Sequence, residues 1–120
     1  MRKLLALNLF FIGNVSADLV GHWLFDEGNG RIYVDSSKNK NDASVTTSTA
    51  WSTEIPATSF ANSTSLDLDG TTQYLDTTYV GIAGSAPRTV SFWMKTTMTG
   101  ANGIIAWGNS TSNGAKWHIR

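Results

Sequence analysis

Apolar and polar residues alternate in short runs along this chain from residue 18 onward. The clearest run is residues 88–97, in which Val90, Phe92 and Met94 would fall on one face of a strand and Ser91 and Trp93 on the other. No stretch after residue 17 repeats apolar residues at helical spacing over the length of a typical helix. The chain is therefore predicted to fold as β-strands.

Clusters of Gly, Asn, Ser and Asp interrupt these runs and set the boundaries of the predicted strands. Residues 46–64 follow no strand pattern and are predicted to form a loop or crossover. Short strands with regular turn signals predict an all-β fold, either an antiparallel sandwich or a jelly roll. The strands are expected at residues 19–25, 31–34, 43–47, 65–69, 74–78, 88–97, 103–107 and 116–120.

The first 17 residues differ in composition from the rest of the chain. Two basic residues precede an apolar run over residues 4–12, and small residues follow up to Ala17. This order is typical of a secretory signal peptide with cleavage between Ala17 and Asp18. The apolar run is too short for the ~20 residues of a membrane span. Residues 1–17 are therefore predicted to be a signal peptide, and the remainder is expected to be secreted, periplasmic or at the cell surface, with no stable membrane span after cleavage.

Charge and cysteine content exclude several classes of function. Lys and Arg number 9 and Asp and Glu also number 9, so there is no basic excess to bind nucleic acid. The absence of cysteine excludes disulfides and thiolate metal sites, and a bound metal would need oxygen or imidazole ligands. Residues 18–120 have one composition and no internal repeat, which predicts a single domain.

Three segments carry a resemblance to a known family. They are GHWLFDEGNGRIYVDSSKNKNDASV at residues 21–45, SLDLDGTTQYLDT at 65–77 and RTVSFWMKTT at 88–97. In this order they resemble the laminin G-like jelly-roll domains of secreted bacterial proteins, which belong to the concanavalin A-like lectin/glucanase superfamily. The resemblance covers nearly all of residues 18–107 and implies an antiparallel jelly-roll β-sandwich for residues 18–120.

Two features depart from the family pattern. Lys38 and Lys40 stand where the family's turn has glycines, which leaves Asn39 and Asn41 to adopt any left-handed conformation. Members of the family also continue through further strands after the equivalent of residues 116–120. The jelly roll is therefore expected to be truncated on its C-terminal side, and residues 18–120 alone are expected to melt without cooperativity.

Oxygen-bearing side chains recur through residues 35–42, in the kind of arrangement that can bind a hard cation such as Ca²⁺. The candidate ligands are Asp35, Asn39 and Asn41, with Asp26 and Asp69 from neighbouring turns. The alternative is that these side chains form Asx turns with their own backbone.

Three tryptophans are candidate ligand-binding residues because they lie in or beside predicted loops. Trp51, Trp107 and Trp117 could each stack against the apolar face of a sugar ring. The alternative for each is partial burial at the edge of the sandwich.

Two carboxylates raise the question of catalysis. Asp67 and Asp69 lie two residues apart on one predicted strand, and paired carboxylates serve retaining glycosidases. The resemblance instead implies that Asp69 and Gly70 form a strand-end turn. No catalytic residue and no enzymatic activity are therefore predicted for this chain.

The resemblance implies a secreted, non-catalytic binding module that recognises carbohydrate or a cell-surface glycoconjugate, or mediates adhesion. Two alternatives remain open. The chain could be the N-terminal accessory part of a secreted glycan-degrading hydrolase or lyase whose catalytic region lies downstream. It could also be a structural spacer in a surface adhesin.

Overall fold

A computed structural model describes residues 2–8, 18–45, 47–82, 84–100, 103–108 and 116–120, with residues 2–8 described as backbone. In chain order the strands are β1 (Arg2–Asn8), β2 (His22–Trp23), β3 (Ile32–Tyr33), β4 (Ala43–Val45), β5 (Ala50–Ser52), β6 (Ser65–Leu68), β7 (Leu75–Thr77), β8 (Ser91–Thr96), β9 (Ile105–Gly108) and β10 (Lys116–Ile119). No described residue lies in a helix. Within these ranges, no helix is long and apolar enough to cross a membrane.

The all-β prediction is confirmed, and apart from β5 the strands between residues 18 and 120 fall where alternation placed them. Each predicted range contains one strand, although β2 covers only His22–Trp23 of the expected residues 19–25. The prediction of an unbroken loop over residues 46–64 is wrong at β5, which pairs antiparallel with β6. Alternation does not predict β5 because only small residues, Ala50 and Ser52, flank Trp51, and packing of the indole against the core positions this strand.

The strands form three antiparallel sheets. In the largest, β1 pairs with β8 along one edge and with β6 and then β2 along the other, and β5 pairs with β6. The second has the order β3-β4-β7, and β9 and β10 form a two-stranded sheet. Trp23 of β2 also forms an isolated bridge with Asp35, which links the region of β2 to the segment after β3. This arrangement of antiparallel sheets is consistent with a β-sandwich.

A cluster of buried side chains forms the core. Its members are Trp23, Phe25, Tyr33, Ala43, Val45 and Leu66, with Trp51, Leu68 and Leu75 partly buried against it. They come from β2, β3, β4 and β6 and from the turn after β2, so the core joins the largest sheet to the β3-β4-β7 sheet. Full burial of an aromatic or large aliphatic side chain contributes roughly 1.5–3 kcal/mol. The core is therefore the main source of cohesion between these two sheets.

Phe25 occupies an unusual backbone conformation within this core. Its φ of 57° lies in the left-handed region, which costs a non-glycine residue about 1–2 kcal/mol. Its ring meets Tyr33 edge to face at a centroid distance of 5.8 Å, and its carbonyl accepts a 2.9 Å hydrogen bond from Thr64 Oγ1. These contacts offset the strain and turn the chain from β2 toward β3.

Candidate functional site

Asp35 is fully buried and organises residues 35–42, here called the Asp35 loop. Its Oδ1 accepts 2.8 Å hydrogen bonds from the backbone N–H groups of His22 and Ser37. Its Oδ2 accepts 2.8 Å hydrogen bonds from Ser37 Oγ and from the Asn41 N–H. Burial alone would raise the pKa of Asp35, but these hydrogen bonds outweigh it and hold the pKa below its ordinary value.

The Asp35 loop also holds residues 18–20 in place. Asn39 Nδ2 donates to the carbonyls of Leu19 (3.1 Å) and Val20 (3.2 Å), and Asn41 Nδ2 donates to Val20 (3.2 Å). Lys38 forms a 2.6 Å ion pair with Asp18. The side-chain amides of this loop therefore fix the backbone of the residues that precede β2.

The left-handed residue of this loop is Lys40, with a φ of 53°. The expectation that Asn39 or Asn41 would take that conformation is wrong. Both asparagines are fixed by hydrogen bonds to Asp35 or to residues 19–20, so the residue between them makes the turn.

Several of the candidate calcium ligands are engaged in hydrogen bonds within the protein. Both carboxylate oxygens of Asp35 already accept two hydrogen bonds each, and the Lys40 ammonium lies 3.5 Å from the Asp35 carbonyl. Asp26 is exposed. No group of three or more His, Cys, Asp or Glu side chains that could hold a metal occurs among the described residues. The hydrogen bonds that Asp35 accepts within its own loop favour the Asx-turn alternative.

Asp69 closes the turn after β6. Its Oδ1 accepts hydrogen bonds from the N–H groups of Thr71, Thr72 and Gln73, and its Oδ2 accepts one of 2.6 Å from Thr72 Oγ1. The hydrogen bond from the Thr72 hydroxyl, followed by those from the backbone, holds the pKa of Asp69 far below its usual range. Asp69 therefore acts in this structure as a turn-forming carboxylate.

Asp67 has a different environment on β6. It is half-buried, and its Oδ1 has no hydrogen-bond partner within the described part of the chain. The two aspartates thus differ in chemistry, since the carboxylate of Asp69 is saturated with local donors and that of Asp67 has an unpaired oxygen.

Trp51 packs on the core side of β5. Its ring lies 5.6 Å from that of Tyr33, and it contacts the buried cluster. Its Nε1 is buried with no hydrogen-bond partner among the described residues. The structure places this tryptophan at the edge of the core rather than on a loop.

Trp107 and Trp117 form a stacked pair, here called the tryptophan pair. They lie directly opposite each other on β9 and β10. Their ring centroids are 4.1 Å apart with 20° between the ring planes. Arg88 places its guanidinium carbon 5.8 Å from the centroid of Trp107 and 5.9 Å from that of Trp117, within range of a cation–π interaction.

Arg88 also fixes the segment that borders this pair. Its guanidinium donates to the carbonyls of Ile82 (3.1 Å), Gly84 (2.6 Å) and Ala86 (2.9 Å). Trp107 Nε1 donates to the same Ile82 carbonyl at 3.3 Å. One arginine therefore positions both the loop before β8 and the tryptophan pair.

An apolar pocket of about 420 Å³ opens beside the tryptophan pair. Trp107 forms part of its wall, together with Tyr79, Val90, Met94 and residues 103–106. Trp23 and Phe25 of the core also line it. Gln73, Asp76 and Thr77 contribute polar residues to its lining. A concave, mostly apolar surface with a few polar groups is the usual form of a small-ligand site.

Tyr79 lies on this wall close to Arg88. Burial raises the pKa of its hydroxyl, and the positive charge of Arg88 partly opposes the rise. The Tyr79 hydroxyl is therefore a neutral donor and acceptor at physiological pH.

Sequence reasoning found both members of the tryptophan pair but not the residues that organise them. The sequence pattern predicts Arg88 only as the first residue of a strand and gives no functional prediction for Tyr79. The sequence feature that could have indicated this role is an arginine directly after a segment of small residues. Such a segment leaves its backbone carbonyls accessible to the guanidinium, as the hydrogen bonds of Arg88 to residues 82, 84 and 86 show.

Comparison with protein-family models, with curated proteins and with solved structures gives no match for this chain.

Proposed function

We propose that this chain is an exported, non-catalytic binding module with a jelly-roll form of the β-sandwich. Its ligand is carbohydrate or a glycoconjugate, bound at the tryptophan pair and the adjoining apolar pocket. The observation that carries the proposal is the position of Trp107 at the wall of a pocket of about 420 Å³, with its indole stacked on that of the half-buried Trp117.

The chemistry of this surface suits a sugar. Pyranose rings have an apolar face that packs against aromatic rings and hydroxyls at their edges that need hydrogen-bond partners. Here the aromatic surface comes from Trp107 and Tyr79, and polar partners come from Asp76 and Thr77, which line the same pocket. Asp76 and Thr77 are exposed, so their polar atoms are accessible to a ligand.

The two other candidate sites support the proposal less well. Trp51 contacts Tyr33 and the core, which leaves less of its ring for a ligand. The carboxylate of Asp69 is occupied by its own turn, which makes it a poor partner for Asp67 in glycoside hydrolysis. The proposal therefore assigns binding, without catalysis, to the tryptophan pair.

Affinity electrophoresis tests the proposal directly. The full chain is run in native gels that contain a panel of soluble polysaccharides, and at least one of them is expected to retard it. Trp117→Ala is expected to abolish the retardation, because it removes one indole from the pair. Trp117 is the better target, because Trp107 also donates a hydrogen bond to Ile82.

Trp51→Ala is the matched control. It removes a ring that packs on the core, so we expect a loss of roughly 2–4 kcal/mol in unfolding free energy with retardation retained. Retardation that survives Trp117→Ala, or that a folded Trp51→Ala variant loses, would contradict the assignment of the site.

A further inference from the structure

The pocket beside the tryptophan pair changes in chemistry with depth. Asp76 and Thr77 line it and are exposed, so they lie at its opening, here called the rim. Trp23, Phe25 and Ala43 line the same pocket but are only 5, 2 and 3 % exposed, so they form its floor. The rim therefore includes polar residues, whereas the floor consists of two aromatic side chains and a methyl group.

The floor has one polar side-chain group, and it is already used within the protein. This group is the indole N–H of Trp23, which donates a 3.2 Å hydrogen bond to the carbonyl of Asn41. The side chains of Phe25 and Ala43 carry no donor or acceptor. Within the described part of the chain, the floor side chains therefore offer no free hydrogen-bond partner to a ligand.

The lining between floor and rim is also largely apolar. It includes the aliphatic residues Leu68, Leu75, Val90, Ile104 and Ile105.

The amide of Gln73, another lining residue, is occupied at both ends. Its Oε1 accepts a 2.8 Å hydrogen bond from the Asp69 N–H, and its Nε2 donates one of 2.7 Å to the Ser48 carbonyl. A sugar ring that descended to the floor would therefore bury hydroxyl groups without partners, which opposes binding because those groups lose their hydrogen bonds to water. An apolar group loses nothing of this kind and gains from leaving water.

Trp107 connects this pocket to the tryptophan pair. Its residue forms part of the pocket wall, and its ring stacks on that of Trp117 at a centroid distance of 4.1 Å. A sugar on the tryptophan pair would thus lie beside the pocket. The volume of about 420 Å³ is within the ~300–1,000 Å³ of small-ligand sites, so the pocket has room for a substituent of that sugar.

We infer that the ligand is an amphipathic glycoconjugate, in which a saccharide is joined to an apolar chain. The saccharide lies on the tryptophan pair and the polar rim, and the apolar chain enters the pocket as far as Trp23 and Phe25. The saccharide half of this inference rests on the proposed function. The apolar half rests on the lining of the pocket alone.

A series of glucosides that differ only in chain length tests the inference. Methyl, butyl and hexyl β-glucoside, each kept monomeric, are titrated into the full chain by isothermal calorimetry. The dissociation constant is expected to fall about fourfold for each added methylene group, because each one leaves water for the apolar pocket. Hexyl glucoside should also shift the indole N–H signal of Trp23 in an NMR spectrum, and methyl glucoside should not.

Val90→Trp places a larger side chain in the pocket lining and is expected to abolish the gain from butyl to hexyl. Val80→Trp is the matched control, since Val80 is 90 % exposed and does not line the pocket. Met94→Trp, at a second lining position, replaces Val90→Trp if that variant does not fold. Equal dissociation constants across the series, or a chain-length gain that the folded pocket variant retains, would overturn the inference.

Retardation by polysaccharide reports on the proposed function separately. A flat alkyl series in a chain that polysaccharide still retards would overturn only the present inference. A chain-length gain in a chain that no polysaccharide retards would instead contradict the saccharide half of the ligand, together with the proposed function.

Discussion

Asp35 shows how one buried carboxylate can organise a loop. It accepts four hydrogen bonds from three residues that are separated in sequence, and it is fully buried. Asp35→Asn replaces one acceptor oxygen by an NH₂ group and leaves buried donors unpaired. We expect a loss of about 2–4 kcal/mol in unfolding free energy, measured by urea denaturation at pH 7.

The same residue predicts a pH dependence. The pKa of Asp35 is lower in the folded chain than in the unfolded chain, so its contribution is complete above the unfolded value and is lost as pH falls through the folded value. Stability should therefore decline below about pH 4 in the wild type and more weakly in Asp35→Asn. Asp26→Asn is the control, since Asp26 is exposed and its substitution should leave the profile unchanged. An identical decline in Asp35→Asn would contradict this role.

Gly81 allows the close approach of Trp107. A Cβ built on Gly81 would lie 2.3 Å from Trp107 Cδ1, and its φ is +85°. Gly81→Ala should therefore lower stability by more than the ~1–2 kcal/mol cost of the left-handed conformation alone and should displace the Trp107 ring. Gly84→Ala is the matched control, because Gly84 also has a positive φ but has no atom within 4 Å of its built Cβ. Thermal melts and near-ultraviolet circular dichroism would show the difference, and equal effects of the two variants would contradict the packing described.

The sequence identifies residues 35–42 as a candidate site, but it does not predict what each of these side chains does. Oxygen-bearing side chains in residues 35–42 are compatible with either Ca²⁺ ligation or Asx turns. The two alternatives differ in whether those oxygens bind a cation or accept hydrogen bonds from N–H groups. The donors to Asp35 include the N–H of His22, thirteen positions earlier in the chain. That contact depends on tertiary structure and leaves no signal in the local sequence.

At the scale of elements, the Asp35 loop makes a prediction about metal dependence. Because its carboxylate oxygens are occupied and Asn39 and Asn41 direct their amides to residues 19–20, we expect the melting temperature to be the same in millimolar Ca²⁺ and in excess chelator. Saturation of a real site at about 100 times its dissociation constant would add roughly 2.7 kcal/mol. A rise in melting temperature with Ca²⁺ that Asp35→Ala abolishes would instead support the calcium hypothesis.

Strand positions followed from alternation with period two, because a half-buried strand must expose every second residue. Residues 43–47 and 116–120 illustrate this, since β4 and β10 lie within them and alternate in exposure. β5 could not be found in this way, because Ala50 and Ser52 carry no alternating pattern and the strand is defined by its pairing with β6. The pairing of β1 was likewise outside the reach of the pattern, since an apolar run indicates a signal peptide and a buried strand equally well.

At the scale of the whole molecule, the proposed export makes a prediction about the N-terminus of the mature protein. The charged start and apolar run of residues 1–17 predict cleavage after Ala17. Mass spectrometry of the product secreted by a bacterial host should therefore find Asp18 at the N-terminus. A soluble secreted product that retains Met1 would contradict the signal peptide.

The central claim is that ligand binds at the tryptophan pair, and the five tryptophans of the chain permit one direct test. Each indole N–H gives its own signal in a ¹⁵N-correlated NMR spectrum, and the signals are assigned with single Trp→Phe variants of the full chain. On titration with the oligosaccharide unit of whichever polysaccharide retards the protein, the signals of Trp107 and Trp117 are expected to shift together, while those of Trp23, Trp51 and Trp93 stay in place. Shifts confined to Trp51, or the absence of any indole shift under saturating ligand, would contradict the account.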